Sequence, residues 1–496
     1  MKFLSLIVAA FMACGARAGE LQIKGDLMIH PQQLAGFFDL AAKNIAARDA
    51  WSWPELSFAK PYRTSWSRVE ARGPFAVKFD VGSLAAQEAG FELTWATPTV
   101  NVGQFEIHDT ITRNVGGVNL IVHLDGACSN MQLRIPDGQW RVRGKIKWNW
   151  TATGLQVDWK EFNFAMSDMA LASIDLGQCV GPAGIQQALR EAMLTVSKDP
   201  AWMTDVLRDG ALDWIQSALA GLQGELLKSR EFPLRPGLTA AWQPERLFDA
   251  GGGLLRIAGA LVLRKPGVEG VKVMERTFDV ADLSAATESG FVLPKDTLQG
   301  VVGFLYENGE LGYRLSSFKV EAFTRLMQNR FIQFFVWPDL MKFARNAEFF
   351  FDLRTERAPV LTNGRMSSAG LHYSLQAPVL VQQWAPGSKA YVPYADFRAN
   401  ANGDLVTRVQ NHKMTLSLAI PRLDIKTKFR SEYSLLRRIN QRISSGLLGS
   451  RVADYLNDNP FSLEIPSWQV GEGLSLGIKG AQSWKQSFRV PLEFAH

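Results

Sequence analysis

Four cations at alternate positions offer the clearest binding chemistry in this sequence. Arg141, Arg143, Lys145 and Lys147 stand two apart in the stretch Gln139 to Trp150, and in an extended chain residues at i, i+2 and i+4 share one face. Such a stripe can meet the phosphates of anionic lipid or lipopolysaccharide, each base near that surface contributing about 1 kcal/mol. A solvated strand face, kept charged for solubility and against edge pairing, uses the same residues, so both readings stand. Reaction chemistry is sparser. The six histidines, His30, His108, His123, His372, His412 and His496, show no HExxH or other close metal-ligand spacing. There is no G-x-S-x-G elbow, no P-loop and no phosphate-cradling G-x-G-x-x-G. His123, beside apolar strand residues, reads as a hydrogen-bonded structural group. No catalytic residue and no metal ligand can be named, so the enzyme reading, a secreted hydrolase without a recognisable motif, stays an alternative.

The stripe needs a strand to hold it, and the residues between the cations supply one. Trp140, Val142, Ile146, Trp148 and Trp150 alternate with the basic positions, the period-2 signature of a half-buried strand. A turn near Thr151 to Gly154 leads into a second arm carrying Leu155, Val157 and Trp159, after which the phase shifts to Phe162 and Phe164, as a bulge allows. So much aromatic surface requires an apolar cover, and the chain offers amphipathic helices. One starts at Pro31, with Leu34, Phe37, Phe38, Ala41 and Ile45 at 3-4 spacing.

The first residues read as an address. Lys2, the apolar run Phe3 to Ala10 and the small-x-small site Ala16-Arg17-Ala18 make a secretory signal peptide, with the mature chain starting near Gly19. Acylation at Cys14, as in a lipoprotein, is the weaker alternative because Phe11 and Met12 fit that pattern poorly. No later apolar run approaches the roughly 18 residues of a transmembrane helix. The 496 residues suit two or more domains. The formal charge of +6 becomes 6 − 2 = +4 without Lys2 and Arg17, mild basicity that suits an anionic membrane surface without demanding one and gives no reason to expect nucleic acid. Cleavage leaves Cys128 and Cys179, and an oxidising compartment predicts one long-range disulfide. The expected location is periplasmic or secreted.

Taken in order, the mature chain is expected to open with the Pro31 helix and then turn to strands from Phe75 to Phe164 as an antiparallel meander. Helical periodicity returns at Ile185, Leu189 and Met193 and again from Ala201 to about Leu227, before Pro233, Pro236 and Pro244 interrupt the chain. The second half repeats the order: a helix from Asp296 to Asn308 with Leu298, Val302 and Leu305 on its apolar side and Gly309 as its C′ residue, then strands, then a long helix from about Ser431 to Leu456 carrying Leu436, Ile439 and Ile443. Strands this regular in an exported chain also raise an outer-membrane β-barrel or an outer-membrane-associated structural protein, against which the long amphipathic helices stand.

These features together resemble the tubular lipid-binding superfamily, the group containing bactericidal/permeability-increasing protein, lipopolysaccharide-binding protein and cholesteryl ester transfer protein. Leu293 to Ser316 is similar to the helix-then-strand opening that family's C-terminal domain, Trp337 to Phe343 to the proline-started helix after it, and Leu254 to Leu263 to its central strand. Cys128 on a strand and Cys179 before a helix resemble its single disulfide. The resemblance implies an α+β fold of two tandem tubular barrels, each a highly curved antiparallel sheet wrapped around a long amphipathic helix, in a boomerang: a barrel at 19–265 after the signal peptide 1–18, a linker and central-sheet region at 266–290, and a barrel at 291–496. It also implies phospholipid or fatty acid as bound ligand, with no other cofactor, and phospholipid, lipopolysaccharide and a peripheral anionic membrane as partners. Leu34, Phe37, Phe38, Ala41, Ile45, Ile185, Leu189 and Met193 would line one acyl-chain pocket, and Leu298, Val302, Leu305, Leu436, Ile439 and Ile443 the other. Ordinary core packing accounts for the same periodicity.

Overall fold

The computed structural model describes residues 18–48, 50–58, 63–83, 87–134, 139–151, 154–166, 173–181, 200–249, 254–278, 288–319, 341–344, 346–367, 370–387, 389–411, 413–429, 462–465, 468–471, 474–484 and 487–495, with isolated positions in 186–190, 324–334 and 454–458. The expected signal peptide through residue 17, Cys14, and Ile185, Leu189, Met193, Leu436, Ile439 and Ile443 lie outside the described residues. Those described are mostly antiparallel sheet, with three helices of eleven residues or more: α1 (Pro31–Ala46), α2 (Pro200–Leu226) and α3 (Thr297–Glu307). None is long and apolar enough to cross a membrane.

The chain forms two compact units that do not follow its order. The smaller holds Ile29–Leu226 and Leu247–Leu255; the larger takes the segment ending at Met28, Leu227–Arg246, and everything from Arg256 onward. Strands expected to belong with the first half thus join the larger unit.

In the smaller unit a four-stranded sheet runs Phe75–Ser83, Glu88–Ala96, Gln139–Thr151, Gly154–Met166 in spatial order. Its alternation is that of the sequence: Trp140, Val142, Ile146 and Trp148 are buried while Arg143, Lys145 and Lys147 are exposed. The phase shift is a bulge, since Ile146 faces Trp159 and Lys145 faces Glu161, leaving Lys160 extra on its strand. Gly144 is required there, because a Cβ would stand 2.2 Å from the Glu161 carbonyl oxygen. A second, six-stranded sheet contains Ala50–Phe58 and Thr64–Arg72, strands that the sequence reading passes over, and the long hairpin Thr99–Val115 and Val118–Arg134. The hairpin turns on Gly116 and Gly117, both at positive φ (63° and 87°), as a two-residue type I′ turn needs. Gln178–Val180 pairs beside it, setting Cys179 opposite Cys128 in register, and the two form the disulfide.

The larger unit is built on a ten-stranded sheet and a seven-stranded sheet. The first described element is a strand, Glu20–Ile29, where the sequence reading opens with a helix. Its burial alternates from Glu20 to Lys24 and is continuous from Gly25 to Ile29; of its two carboxylates, Glu20 meets Arg264 (2.7 Å), and Asp26 is fully buried and held by Arg256 (3.0 Å) and Arg276 (3.5 Å). The proline-rich stretch is also strand: Arg230–Arg235 pairs with Leu238–Asp249 and lies at the sheet edge, where Pro233 costs no ladder bond.

Candidate functional site

α3 organises the larger unit's interior. Leu298, Val301, Val302 and Leu305 recur at i, i+3, i+4 and i+7 and are all buried, so they form one stripe. The helix ends where the sequence puts the stop: Gly309 has φ 70°, its N–H donates to the Tyr306 carbonyl and that of Glu310 to the Leu305 carbonyl at 2.8 Å, a Schellman motif. Gln299 clamps the helix sideways, donating to the Pro359 carbonyl (2.9 Å) and accepting from the Leu361 N–H (2.7 Å). The Tyr306 hydroxyl donates to the Glu356 carbonyl at 2.9 Å.

Two apolar cavities flank this stripe. The first, about 840 Å³ with its mouth included, lies between α3 and the ten-stranded sheet. Alternate residues of three strands form its wall: Leu261 and Leu263, Phe291 and Leu293, and Phe488, Val490 and Leu492, as period 2 dictates for one face of a sheet. None of its lining residues is ionisable. The second, about 940 Å³ on the same measure, lies between α3 and the seven-stranded sheet and is lined by Val302, Leu305, Leu353, Leu375, Val379 and Leu405 among others. Its polar groups are few: Tyr313, Thr355 and Arg354, the last 4.0 Å from Asp352 and largely exposed. Leu298, Val301 and Leu416 border both cavities, so one helical turn forms a shared wall. The apolar walls of the first cavity can exchange water for hydrocarbon.

Of the residues expected at the second pocket, Leu298, Val302 and Leu305 line these cavities, and their expected partners fall outside the described residues. The sheet walls were missed, although the alternation of Phe488, Val490 and Leu492 in the strand Ser487–Ala495 was there to read. Those residues lie nearly two hundred positions from α3, and no local signal says which strand will face it.

The residues expected at the first pocket take part in dense aromatic packing. Phe37, Phe38, Ala41 and Ile45 of α1 are buried, and the Phe38 ring lies 5.3 Å from Phe79 and 4.8 Å from Trp148. Opposite, Trp214 of α2 stacks on Trp51 at 4.3 Å, and Trp95 meets Trp140 edge-on at 5.0 Å. Of Leu34 only the helical backbone is described. Trp140 and Trp148 of the 139–164 hairpin are buried in this packing, while Trp150 and Trp159 are half-buried.

The cationic stripe is matched by carboxylates across the sheet. Arg141 and Arg143 both reach Glu92 (3.4 and 3.0 Å), Lys145 reaches Glu161 (3.1 Å), and Lys147 stands in register with Glu88 and Asp158. Lys160 binds Glu88 at 2.7 Å; that hydrogen bond holds the Glu88 carboxyl below its usual range and the Lys160 ammonium above its own. Among the described residues no group of three or more His, Cys, Asp or Glu is placed to hold a metal ion.

Two solved structures are similar to this chain. Lipopolysaccharide binding protein shares 13% identity with a TM-score of 0.35, the match covering 97% of this chain and 100% of that one. Takeout 1 of Epiphyas postvittana shares 13% identity with a TM-score of 0.23, over 37% of this chain and 86% of its own. Both are members of the tubular lipid-binding superfamily that the sequence resembles. No protein-family model matches, and no curated protein matches. At such identity and superposition, the functional reading rests on the cavities themselves.

Proposed function

We propose that this protein is a non-enzymatic lipid-binding protein that holds acyl chains of phospholipid, fatty acid or lipopolysaccharide in the two cavities beside α3, serving lipid transfer or lipid recognition outside the cytoplasm. The observation that carries this reading is the first cavity, whose lining contains no ionisable residue. Each methylene moved from water into such a tube contributes about 0.8 kcal/mol, so a tail needs no polar partner within it. Leu298, Val302 and Leu305 are assigned as tail contacts, with Val301 and Leu416 between the two spaces. On this reading the larger unit is one tubular barrel and the smaller unit, which holds α1, is a second. The Cys128 to Cys179 disulfide suits a secreted or periplasmic setting.

The test is mass spectrometry of solvent extracts from purified protein, with uptake of labelled phospholipid from vesicles as the companion measurement. Stoichiometric phospholipid or fatty acid supports the assignment. Extracts without lipid, together with no uptake, overturn it.

A further inference from the structure

The larger unit also carries exposed aromatic and basic residues that line neither cavity. The chain leaves the hairpin formed by Tyr313–Ser316 and Phe350–Thr355 at Ser317 and returns at Phe349. The two ends are tied together: the Ser317 N–H donates to the Phe349 carbonyl (2.8 Å) and the Phe349 N–H to the Ser317 hydroxyl (3.0 Å). The Phe343 ring packs edge-on against Phe349 at 5.5 Å.

What the intervening excursion presents is unusual for a water-facing surface. Phe318, Phe331, Phe334 and Met341 are 50%, 71%, 57% and 39% exposed. Phe331 and Phe334 are helical positions three apart, hence on one side of a turn, and the Phe331 N–H is capped by the Asn329 side chain at 3.0 Å. The Arg330 guanidinium donates to the Met341 carbonyl (3.3 Å), which brings the two arms of the excursion together. Lys319 and Arg330 are exposed beside these apolar groups. Among the described residues between Ser317 and Phe349, Lys319, Arg330 and Lys342 stand against Glu348, a balance of 3 − 1 = +2. Exposed aromatic rings among an excess of bases match the chemistry of an anionic bilayer interface, where rings enter the headgroup level and bases meet phosphate. The stripe at Arg141 to Lys147 differs in kind, since carboxylates face it and its aromatic residues are buried.

We infer that the patch of Phe318, Phe331, Phe334 and Met341, with Lys319 and Arg330, docks this protein on anionic lipid bilayers. This goes beyond tail binding, because the patch lines neither cavity and can act whether or not the cavities hold lipid. The test is co-sedimentation of the whole chain with vesicles of phosphatidylglycerol and phosphatidylcholine, against vesicles of phosphatidylcholine alone. Binding is expected to the anionic vesicles and to weaken with salt. Lys319→Gln with Arg330→Gln should weaken it about 30-fold at low salt, from the worth of two bases near a charged surface. Phe331→Ser with Phe334→Ser should release the protein while circular dichroism and phospholipid uptake stay at wild-type levels. Unaltered sedimentation of both variants, failure of the wild type to bind anionic vesicles, or self-association of the wild type through these phenylalanines in place of vesicle binding each overturns the inference. Loss of uptake with vesicle binding intact sinks only the cavity assignment.

Discussion

Val301 is the most informative residue to change, because it borders both apolar cavities. If those spaces hold hydrocarbon, affinity for a series of saturated fatty acids should rise with length until the space is full. At about 0.8 kcal/mol per methylene and about 1.4 kcal/mol per tenfold, each added methylene tightens Kd by roughly fourfold. Val301→Phe places a ring in the shared wall and should displace two or three methylenes, weakening a long-chain acid by about 16- to 60-fold while barely affecting a short one. Competition against a fluorescent fatty acid reads both slopes. Thermal unfolding supplies an independent reading of the same wall: filling a void commonly stabilises by about 0.5–2 kcal/mol, whereas overpacking a closed core costs about 1–3 kcal/mol. Val301→Phe is expected to raise or hold the melting temperature of lipid-free protein. A flat length series, or a Val301→Phe protein that melts earlier and binds all lengths alike, refutes the reasoning.

Replacing Cys128 and Cys179 by Ser frees a loop spanning 51 positions and should lower stability by about 4 kcal/mol on the chain-entropy account; denaturant midpoints of oxidised wild type and variant give the difference. Neutralising Arg143 and Lys145 to Gln should change anionic-vesicle binding at low salt by less than twofold, because Glu92 and Glu161 already face these groups; a tenfold loss would restore the stripe as the lipid contact. The His108 imidazole is hydrogen-bonded to Asp125 at 2.6 Å, which raises its pKa, with Glu106 adding to the effect against burial. A raised folded pKa means that its contribution to stability is complete below the unfolded value of about 6.5 and is lost as pH climbs through the folded value. Titration of His108 by NMR should show a midpoint above that value in wild type and a fall toward it in Asp125→Asn; equal midpoints would break the assignment.

The alternating and 3-4 spaced patterns determined much of this protein by themselves. The hairpin from Gln139, its bulge after Trp159, helix α1, helix α3 with its Gly309 stop, and the single disulfide are all legible because each depends on a local period, a turn residue or a count of cysteines. Strands that break the period were not legible. Glu20–Ile29 alternates only as far as Lys24 and is buried on both faces from Gly25 onward, and Arg230–Arg235 carries a proline that an edge position tolerates. The candidate site divides along the same line. One side, the stripe of α3, is written in eleven consecutive residues. The other side comes from strands far along the chain, whose placement is fixed by register across sheets, and only tertiary structure decides that Phe291, Phe488 and Leu261 face the same helix. It also gives two like-looking helices different surroundings. Phe38 of α1 meets aromatic rings at close range, while Leu298 and Val301 of α3 border open apolar space. Periodicity reports which face is buried, and the distance to the opposing wall, set by the whole fold, decides whether that face is core or pocket.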